Sequence, residues 1–371
     1  MRPKVVILGG GYAGLATLVA LHERCPGADV TLVDPHSAHI KRTRLHELIR
    51  HPGGRCQIPF RDFERRFGCR HLQAEIQFNE ENLENWQHSK TLLLDGQRLA
   101  FDYLVIATGS RPCSLPVLGA ALTPDDLSRL DFTAYLRRRL SDYEKEEAWI
   151  TVVGAGAGGI QILFELDAWR RQWRNIPAHT YGLRLVDAGQ VVLAQFPRRM
   201  RQYAAQKISK AGIQYLDQTL LRECRENQVQ LEHRISGEKQ TLPSALTMVC
   251  LGLVAHPRTI QVNPFGQVVQ GGRVMECLFA AGDCTAFAGG GANTLSAQVA
   301  TRKGRLVGEN IVRHRHGLSL SPYRFREMGY FVSMGPADGV GWLGIPENVV
   351  AGLPAFFIKE TVETLYELSI F

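Results

Sequence analysis

The pattern of apolar and polar positions near the start of the chain predicts a strand, a turn and a helix. Residues 5–8 are all apolar, which is typical of a buried parallel strand. After a glycine-rich stretch, apolar residues recur at helical spacing over 15–21. A second apolar run over 30–33 ends in Asp34. This order is typical of a β-α-β unit that binds a dinucleotide.

Three glycines between the first strand and the helix have the spacing of the dinucleotide-binding fingerprint: Gly9, Gly11 and Gly14. The first makes a tight turn, the second lets the backbone approach the pyrophosphate, and the third lets the helix pack on the strand. The helix begins near Tyr12 and Ala13, where free N–H groups attract a phosphate. Asp34 is placed to accept a hydrogen bond from a ribose hydroxyl.

The same pattern recurs in the middle of the chain. An apolar strand over 149–153 leads into a second fingerprint, formed by Gly154, Gly156 and Gly159. A later apolar run ends in Asp187, whose carboxylate would accept the 2′-hydroxyl of NAD and repel a 2′-phosphate. Such an internal repeat implies two dinucleotides that face each other, commonly a flavin and a nicotinamide. We therefore predict NADH as the nicotinamide cofactor.

Two further apolar runs, over 103–106 and 277–281, end in short turns of small residues. These turns are Ala107-Thr108-Gly109 and Gly282-Asp283. Elsewhere the pattern predicts a small β region over 72–99 with a hairpin at 94–97.

The remaining stretches are less regular. A polar stretch over 120–147 is interpreted as a surface helix or crossover, and residues 169–180 as an insertion.

The amino-acid composition limits the classes of protein to which this chain can belong. The chain has 371 residues, of which 45% are hydrophobic and 21% charged, and this favours a soluble protein of two or three domains. The eight cysteines form no CxxC pair, so neither a zinc site nor a disulfide framework is indicated and a reducing cytoplasm is expected. Neither a signal peptide nor a transmembrane run is predicted.

The net charge of +7 is concentrated in arginine clusters near 61–70, 198–201 and 313–315. Such clusters suit solubility, an anionic membrane surface or nucleic acid. Because no nucleic-acid motif accompanies them, a membrane ranks above nucleic acid, and no nucleic-acid partner is predicted. The His- and Arg-rich segment 36–46 is expected to be mostly a solvated loop or a surface beside the phosphates, and its irregular histidine spacing predicts no metal site.

The last part of the chain, from 323, changes character. Residues 331–335 and 339–344 predict a hairpin, and 353–371 predict a helix with apolar residues on one side and Lys359, Glu360 and other charges on the opposite side. This helix could dock on the body, form a dimer interface or lie on a membrane.

The chain thus has four motifs in order: the first glycine fingerprint, Ala107-Thr108-Gly109, the second glycine fingerprint and Gly282-Asp283. Together they resemble the motifs of the two-dinucleotide-binding flavoproteins of the pyridine nucleotide–disulphide reductase-like type. The resemblance implies an α/β fold with two Rossmann-like domains, for FAD and for NAD, the second inserted in the first. A small C-terminal α+β region would follow. The implied bounds are 1–111 and 249–310 for the FAD domain, 112–248 for the NADH domain and 311–371 for the C-terminal region. Asp283 would hold the ribityl chain of FAD.

Within these flavoproteins the chain resembles the type II NADH dehydrogenases. Their motif AQxAxQxG is matched from Ala297 and Gln298 onward, except that Arg302 replaces the second Gln. Gln161 stands where that family usually has a Glu near the flavin and nicotinamide. The resemblance implies electron transfer from NADH through FAD to a quinone without proton pumping. It also implies that Gln298 and Arg302 contact the quinone, although Arg302 pointing to solvent is an equal alternative.

Other members of the wider group remain alternatives. Disulfide reductases carry a cysteine pair soon after the first fingerprint, and Cys25, Cys56 and Cys69 do not form it. A sulfide:quinone oxidoreductase is disfavoured because the chain has no cysteine between Cys113 and Cys224. A redox sensor with low turnover is a further alternative. We expect peripheral attachment to the cytoplasmic side of the cell membrane, with a homodimer as an option.

Overall fold

The computed structural model describes residues 2–54, 56–76, 79–113, 119–129, 131–141, 148–172, 181–255, 259–288 and 293–370. Residues 142–147 of the polar stretch and 173–180 of the predicted insertion lie outside the described residues. The insertion was predicted to begin at Trp169, but a helix extends to Gln172.

The first part of the chain contains the following elements in order. They are β1 (Lys4–Leu8), α1 (Tyr12–Arg24), β2 (Asp29–Asp34), β3 (Ala38–Ile40), a 3-10 helix (Arg42–Ile49), β4 (Gln57–Pro59), α2 (Phe60–Phe67), β5 (Arg70–Gln73), α3 (Glu80–Ser89), β6 (Thr91–Leu94), β7 (Gln97–Ala100), β8 (Tyr103–Ile106) and β9 (Ser110–Pro112).

The middle part forms a second unit. Its elements are a 3-10 helix (Pro124–Ser128), α4 (Phe132–Ser141), β10 (Ala148–Val153), α5 (Ala157–Gln172), β11 (Tyr181–Val186), α6 (Arg198–Lys210), β12 (Gln214–Leu216), β13 (Thr219–Arg225), β14 (Gln228–His233), β15 (Lys239–Pro243), β16 (Leu246–Val249) and β17 (Leu253–Ala255).

The last part returns to the first unit and then adds a C-terminal region. Its elements are β18 (Ile260–Gln261), β19 (Gln267–Gln270), β20 (Arg273–Ala280), β21 (Thr285–Ala286), α7 (Ala297–Arg315), β22 (Gly329–Ser333), β23 (Gly339–Leu343), β24 (Ile345–Ala351) and α8 (Leu353–Ile370).

A six-stranded sheet is built from both ends of the chain, in the order β19-β20-β8-β1-β2-β5. Its neighbouring strands are parallel except for β19 and β20. Strand β1 is central, and Val6 pairs with Leu104 on one side and Thr31 on the other. A strand buried on both faces requires apolar residues at every position, which explains the continuous run over 5–8. The first fingerprint therefore begins at the carboxyl edge of this sheet.

A second parallel sheet has the order β12-β11-β10-β16. It comes from the segment between β8 and β20, so the second nucleotide unit is inserted in the first. The antiparallel sheet β13-β14-β15 extends this unit. The predicted fold class, two Rossmann-like units with one inserted in the other, is confirmed.

Helices α1 and α7 pack closely against each other. A Cβ atom on Gly304 would lie 2.0 Å from the carbonyl oxygen of Ala13, and one on Gly308 would lie 2.7 Å from the Cβ of Ala20. The hydroxyl of Thr17 donates to the carbonyl of Gly304 over 2.9 Å. Helix α7 is thereby held against the helix that follows the first fingerprint.

The C-terminal region is a small antiparallel sheet, β22-β23-β24, with α8 packed on it. The predicted hairpin and helix are confirmed. The third strand was not predicted, because Pro346 and Glu347 interrupt its apolar pattern and its first four residues are exposed.

Two local predictions were wrong. The region 72–99 contains the predicted hairpin but also α3, which a reciprocal capping box between Asn79 and Asn82 begins. The segment 36–46 is not mostly solvated, because His39, Lys41 and His46 are each at most 3% exposed. Partners distant in sequence cover these side chains, so the local pattern could not reveal their burial.

Candidate functional site

A deep cavity lies at the carboxyl edge of the six-stranded sheet. Its volume is about 960 Å³, and the turns after β1, β2, β8 and β20 border it. The structure brings together in its wall most of the predicted cofactor residues: Gly9, Gly11, Tyr12, Ala13, Asp34, Thr108, Gly109, Gly282 and Asp283. Parallel strands end at the same edge of a sheet, so stretches far apart in sequence converge here.

The carboxylate of Asp283 lies in this wall, and only one of its two oxygens has a hydrogen-bond partner among the described residues. The Oδ2 atom of Asp283 accepts from the hydroxyl of Ser110 over 2.8 Å. Its Oδ1 atom is buried and has no hydrogen-bond partner in the described part of the chain. Burial raises the pKa of this carboxyl, while the bond from Ser110 and the charge of Lys303 oppose that shift. A buried acceptor of this kind fits a ligand hydroxyl, such as one on the ribityl chain of FAD.

The first glycine turn is held by backbone geometry and by Asp34. Gly9 has a φ of +105°, and a Cβ atom there would lie 2.3 Å from the carbonyl oxygen of Ala107. The carboxylate of Asp34 accepts from the N–H groups of Gly10 and His36 over 2.7 and 2.8 Å. Nδ1 of His36 also lies 3.0 Å from Oδ1 of Asp34. Asp34 therefore fixes the turn, and the second lone pair of its Oδ2 can accept from a ribose hydroxyl.

The second glycine turn repeats this arrangement almost atom for atom. Gly154 also has a φ of +105°, and its Cβ would lie 2.3 Å from the carbonyl oxygen of Cys250. The carboxylate of Asp187 accepts from the N–H groups of Ala155 and Gly189 over 2.6 and 2.7 Å. The repeat found in the sequence is thus also a repeat of three-dimensional structure.

The third glycine of each fingerprint allows a close approach within its turn. A Cβ atom on Gly14 would lie 1.9 Å from the carbonyl oxygen of Gly9, and one on Gly159 would lie 1.8 Å from that of Gly154. Gly156, the middle glycine of the second turn, has only the side chain of Gln195 near its ideal Cβ position, at 3.8 Å. The backbone of that turn is accordingly open to a ligand.

The predicted catalytic residues Gln161, Gln298 and Arg302 do not line the large cavity, and neither does Ala297. Gln161, in the first turns of α5, accepts from the N–H of Ser333 over 3.3 Å, and its Nε2 lies 3.5 Å from Nδ1 of His46. Gln298 is exposed and Ala297 half-buried at the start of α7. Arg302 donates to the carbonyl of Arg326. Ala300, between Gln298 and Arg302 on α7, does line the cavity.

A layer of charged side chains joins the 3-10 helix Arg42–Ile49 to the inner side of α8. Arg44 donates to Glu360 over 2.8 Å, and the hydroxyl of Thr43 donates to Glu363 over 3.0 Å. Lys41, just before that 3-10 helix, forms an ion pair with Glu367. Burial acts to lower the pKa of Arg44, but the carboxylates of Glu360 and Glu47 outweigh it and raise that pKa above its ordinary value. The charged side of α8 therefore faces the protein body.

The opposite side of α8 is apolar and open to solvent. Its large side chains are between 49% and 68% exposed: Leu353, Phe357, Val362, Leu365 and Leu368. A surface helix in water normally has the reverse arrangement, with apolar residues inside and charges outside. Within the part of the chain that the structure describes, no helix is long and apolar enough to span a bilayer.

A comparison with known families shows to which family this two-unit fold belongs. The model of the family described as pyridine nucleotide-disulphide oxidoreductase matches residues 3–304. The chain belongs to this pyridine nucleotide-disulphide oxidoreductase family. The matched range covers both glycine turns, both acids and the Gly282-Asp283 turn.

Among the pyridine nucleotide-disulphide oxidoreductases, the chain is similar to relatives of one named type. The chain is 24% identical to a Type II NADH:quinone oxidoreductase of Staphylococcus aureus strain MSSA476, over 98% of this chain and 94% of the relative. Its counterpart from strain NCTC 8325 / PS 47 is 25% identical over the same shares.

Solved structures show the same fold at low identity. NDH2 from Plasmodium falciparum in complex with NADH has a TM-score of 0.80 at 15% identity, covering 100% of this chain and 97% of that one. The sulfide:quinone oxidoreductase from Aquifex aeolicus has a TM-score of 0.78 at 15% identity, covering 100% and 91%.

The family name refers to disulphides, but the cysteines of this chain are not paired with one another. All eight are free thiols, and only Cys25 and Cys113 are not buried. Burial raises the pKa of the Cys250 thiol to about 12, which disfavours the nucleophilic thiolate.

Sequence reasoning missed four residues in and around the site. His39 and Arg42 line the cavity, Ser110 binds Asp283, and Lys303 lies buried beneath the Gly282-Asp283 turn. Of these four residues, only Lys303 could have been noticed in the sequence, because it interrupts a face of α7 that otherwise carries small and apolar residues. The other three depend on contacts that only the folded chain creates.

Proposed function

We propose that this protein oxidises NADH with the help of bound FAD and passes the electrons to a quinone at a membrane surface. The pair of glycine turns with matching geometry, one at the edge of each parallel sheet, carries this proposal. It is supported by the similarity to Type II NADH:quinone oxidoreductases over almost the whole chain.

FAD belongs in the large cavity on this proposal. The residues that would hold it are Gly9, Gly11, Tyr12, Ala13, Gly14, Asp34, Thr108, Gly109, Gly282, Asp283 and Ala297. Two observations favour this cavity over the second turn: the unpaired Oδ1 atom of Asp283 and the volume of about 960 Å³. When bound, FAD supplies two-electron chemistry that links a hydride donor to a quinone. The protein supplies position and excludes water.

NADH belongs at the second turn. The N-terminus of α5 would receive the pyrophosphate beside Gly154, Gly156 and Gly159. Asp187 would accept from the adenine-side ribose, and its negative charge disfavours the 2′-phosphate of NADPH. Both carboxylate oxygens already accept from backbone N–H groups, so the charge is held in place rather than free to turn away.

The quinone-contacting roles of Gln298 and Arg302, and a place for Gln161 near the flavin and the nicotinamide, are also proposals. Ala300 lines the cavity, so the first turns of α7 that carry Gln298 and Arg302 border the place proposed for the flavin. The positive charge of Arg302 would stabilise a developing quinol anion. Gln161 would act from the side of the second unit, where it contacts Ser333.

The outer side of α8 is proposed to lie on a bilayer, where a quinone dissolves. Its exposed apolar residues would be buried among lipid chains, while Glu360 and Glu367 stay paired with Arg44 and Lys41. The exposed Arg198 and Arg199 begin α6, which packs on the C-terminal sheet and offers positive charge to anionic headgroups. The free cysteines suit the cytoplasmic face.

The activity is tested by steady-state oxidation of NADH with a short-chain quinone. We expect FAD-dependent turnover with NADH and much slower turnover with NADPH. Bleaching of the flavin by sulfide but not by NADH would instead select a sulfide:quinone oxidoreductase. Flavin reduction by NADH without quinone turnover would select a redox sensor.

Membrane attachment is tested by co-sedimentation with vesicles of phosphatidylcholine and phosphatidylglycerol. Replacing Phe357 and Leu365 together by Ser removes two apolar side chains, each of which contributes about 2 kcal/mol when buried. We expect vesicle binding to fall by at least tenfold. The matched control is Leu93→Ser, an exposed leucine in the β6-β7 hairpin, which should bind like the unmodified protein. Equal binding of all three proteins would contradict the proposal.

A further inference from the structure

His39 connects the first glycine turn to the C-terminal helix. Its side chain is 1% exposed, its Nδ1 lies 3.0 Å from the carbonyl oxygen of Gly10, and its Nε2 lies 3.2 Å from the hydroxyl of Tyr366. A carbonyl oxygen only accepts, so Nδ1 must carry the proton. Burial lowers the pKa of His39 to about 4, so at neutral pH Nε2 carries no proton and accepts from the Tyr366 hydroxyl. The imidazole is therefore neutral, with a single defined tautomer, and both of its nitrogens are used.

A second chain of hydrogen bonds runs in parallel. The hydroxyl of Thr43 donates to Glu363 on α8 over 3.0 Å, so its oxygen accepts from the hydroxyl of Tyr12, also at 3.0 Å. The ring of Tyr12 also contacts the rings of His39 and Tyr366, with centroid distances of 5.0 and 4.9 Å. Gly10, Tyr12 and His39 all line the proposed flavin cavity.

Helix α8 is thus attached to the flavin turn by one side and exposes apolar side chains on the other. In this docked position its acids face Lys41 and Arg44 rather than lipid. A bilayer with anionic headgroups would therefore favour the docked helix, because the carboxylates of an undocked helix would lose their Lys41 and Arg44 partners and be repelled by those headgroups. The hydrogen bonds to His39 and Thr43 require, in turn, that the glycine turn keeps one conformation.

We propose that flavin binding and membrane attachment are energetically coupled through two hydrogen-bonded paths, Gly10–His39–Tyr366 and Tyr12–Thr43–Glu363. FAD orders the glycine turn, the ordered turn holds α8 in its docked position, and the docked helix presents its apolar side to lipid. By linkage, a bilayer must strengthen FAD binding by the same factor by which FAD strengthens bilayer binding. The membrane half of this inference rests on the proposed function.

The test compares the full-length protein with Tyr366→Phe, which removes one hydroxyl and keeps the ring. The control is Tyr203→Phe, which removes the hydroxyl that donates to Asp338 over 2.7 Å, elsewhere against the C-terminal region. Two quantities are measured for each protein. One is the Kd for FAD with and without the mixed phosphatidylcholine–phosphatidylglycerol vesicles. The other is the vesicle partition coefficient of the apo and FAD-loaded forms.

In the unmodified protein, vesicles should tighten FAD binding about tenfold, and FAD should raise partitioning by the same factor. Tyr366→Phe should reduce both factors equally toward one, and Tyr203→Phe should leave both unchanged. A factor of one in the unmodified protein would overturn the coupling to the membrane. An undiminished factor in Tyr366→Phe would overturn the Gly10–His39–Tyr366 path, because Tyr366 would then be only a structural brace.

A separate measurement distinguishes this inference from the membrane proposal. If the unmodified protein binds no vesicles, the membrane proposal fails, and hydrogen exchange of the α8 amides in solution then tests the remaining link. FAD should slow exchange in α8 of the unmodified protein and have a much smaller effect in Tyr366→Phe. Equal exchange with and without FAD in the unmodified protein would overturn the link between the flavin turn and the helix.

Discussion

The ammonium nitrogen of Lys303 lies 3.3 Å from the carbonyl oxygen of Gly282. It also lies 3.1 Å from the hydroxyl of Thr285 and 3.3 Å from the side-chain oxygen of Asn293. Lys303 is 1% exposed, so this buried charge holds the Gly282-Asp283 turn and the loop near Asn293 against α7.

Replacing Lys303 by Met should weaken FAD binding. The change leaves the carbonyl of Gly282 without its charged donor and removes the positive charge near Asp283. A hydrogen bond to a charged group contributes about 2 kcal/mol, so the Kd for FAD should rise by at least tenfold. Fluorescence titration of the apo-protein with FAD measures this. Arg305→Met, on the exposed side of the same helix, should not change the Kd.

His39 should make the free energy of unfolding fall as the pH falls from about 6.5 to 4. Burial lowers the pKa of this imidazole to about 4 in the folded protein, against 6.5 in the unfolded chain. Between these values the unfolded chain binds the proton and the folded protein does not, so stability rises with pH there and is fully present above 6.5.

A His39→Gln variant isolates this contribution. Between pH 7.5 and pH 5.0, the unmodified protein should lose about 2 kcal/mol more than the variant in urea-induced unfolding. His46, whose pKa burial also lowers, is present in both proteins and cancels in the comparison. An equal loss in both proteins would show that His39 keeps an ordinary pKa after folding.

Asp187→Asn should relax the discrimination against NADPH. The change removes the negative charge but keeps one oxygen that accepts from Ala155 or Gly189. The ratio of kcat/KM for NADPH to that for NADH should rise by about tenfold, from the loss of roughly 1.4 kcal/mol of repulsion. Asp34→Asn in the first turn is the matched control. It should weaken FAD binding and leave the nicotinamide preference unchanged.

Gly304→Ala should destabilise the protein by about 2 kcal/mol, since overpacking a helix contact costs roughly this much. The new Cβ would lie 2.0 Å from the carbonyl oxygen of Ala13 and would push α7 away from α1. Urea-induced unfolding measures the loss. Gly27→Ala is the matched control, because no described atom lies within 4 Å of its ideal Cβ, and its stability should hardly change.

The fold and the positions of the two glycine turns could be predicted because their patterns are local. A continuous apolar run, a glycine spacing and a terminal acid each follow from the geometry of one strand and its turn. Asp34 and Asp187 illustrate this, since each lies at the end of its strand and holds the turn beside it. The predicted catalytic residues are different, because Gln161 and Arg302 acquire their neighbours, Ser333 and Arg326, from other parts of the chain.

The sequence alone determined that the C-terminal helix has one charged and one apolar side. Only the tertiary structure decided which side faces the body, because the partners of Glu363 and Glu367 are Thr43 and Lys41, far away along the chain. Periodicity describes a helix by itself, whereas burial depends on what packs against it. For the same reason His39 resembles a loop residue in sequence, yet in the folded protein it joins the first glycine turn to the helix.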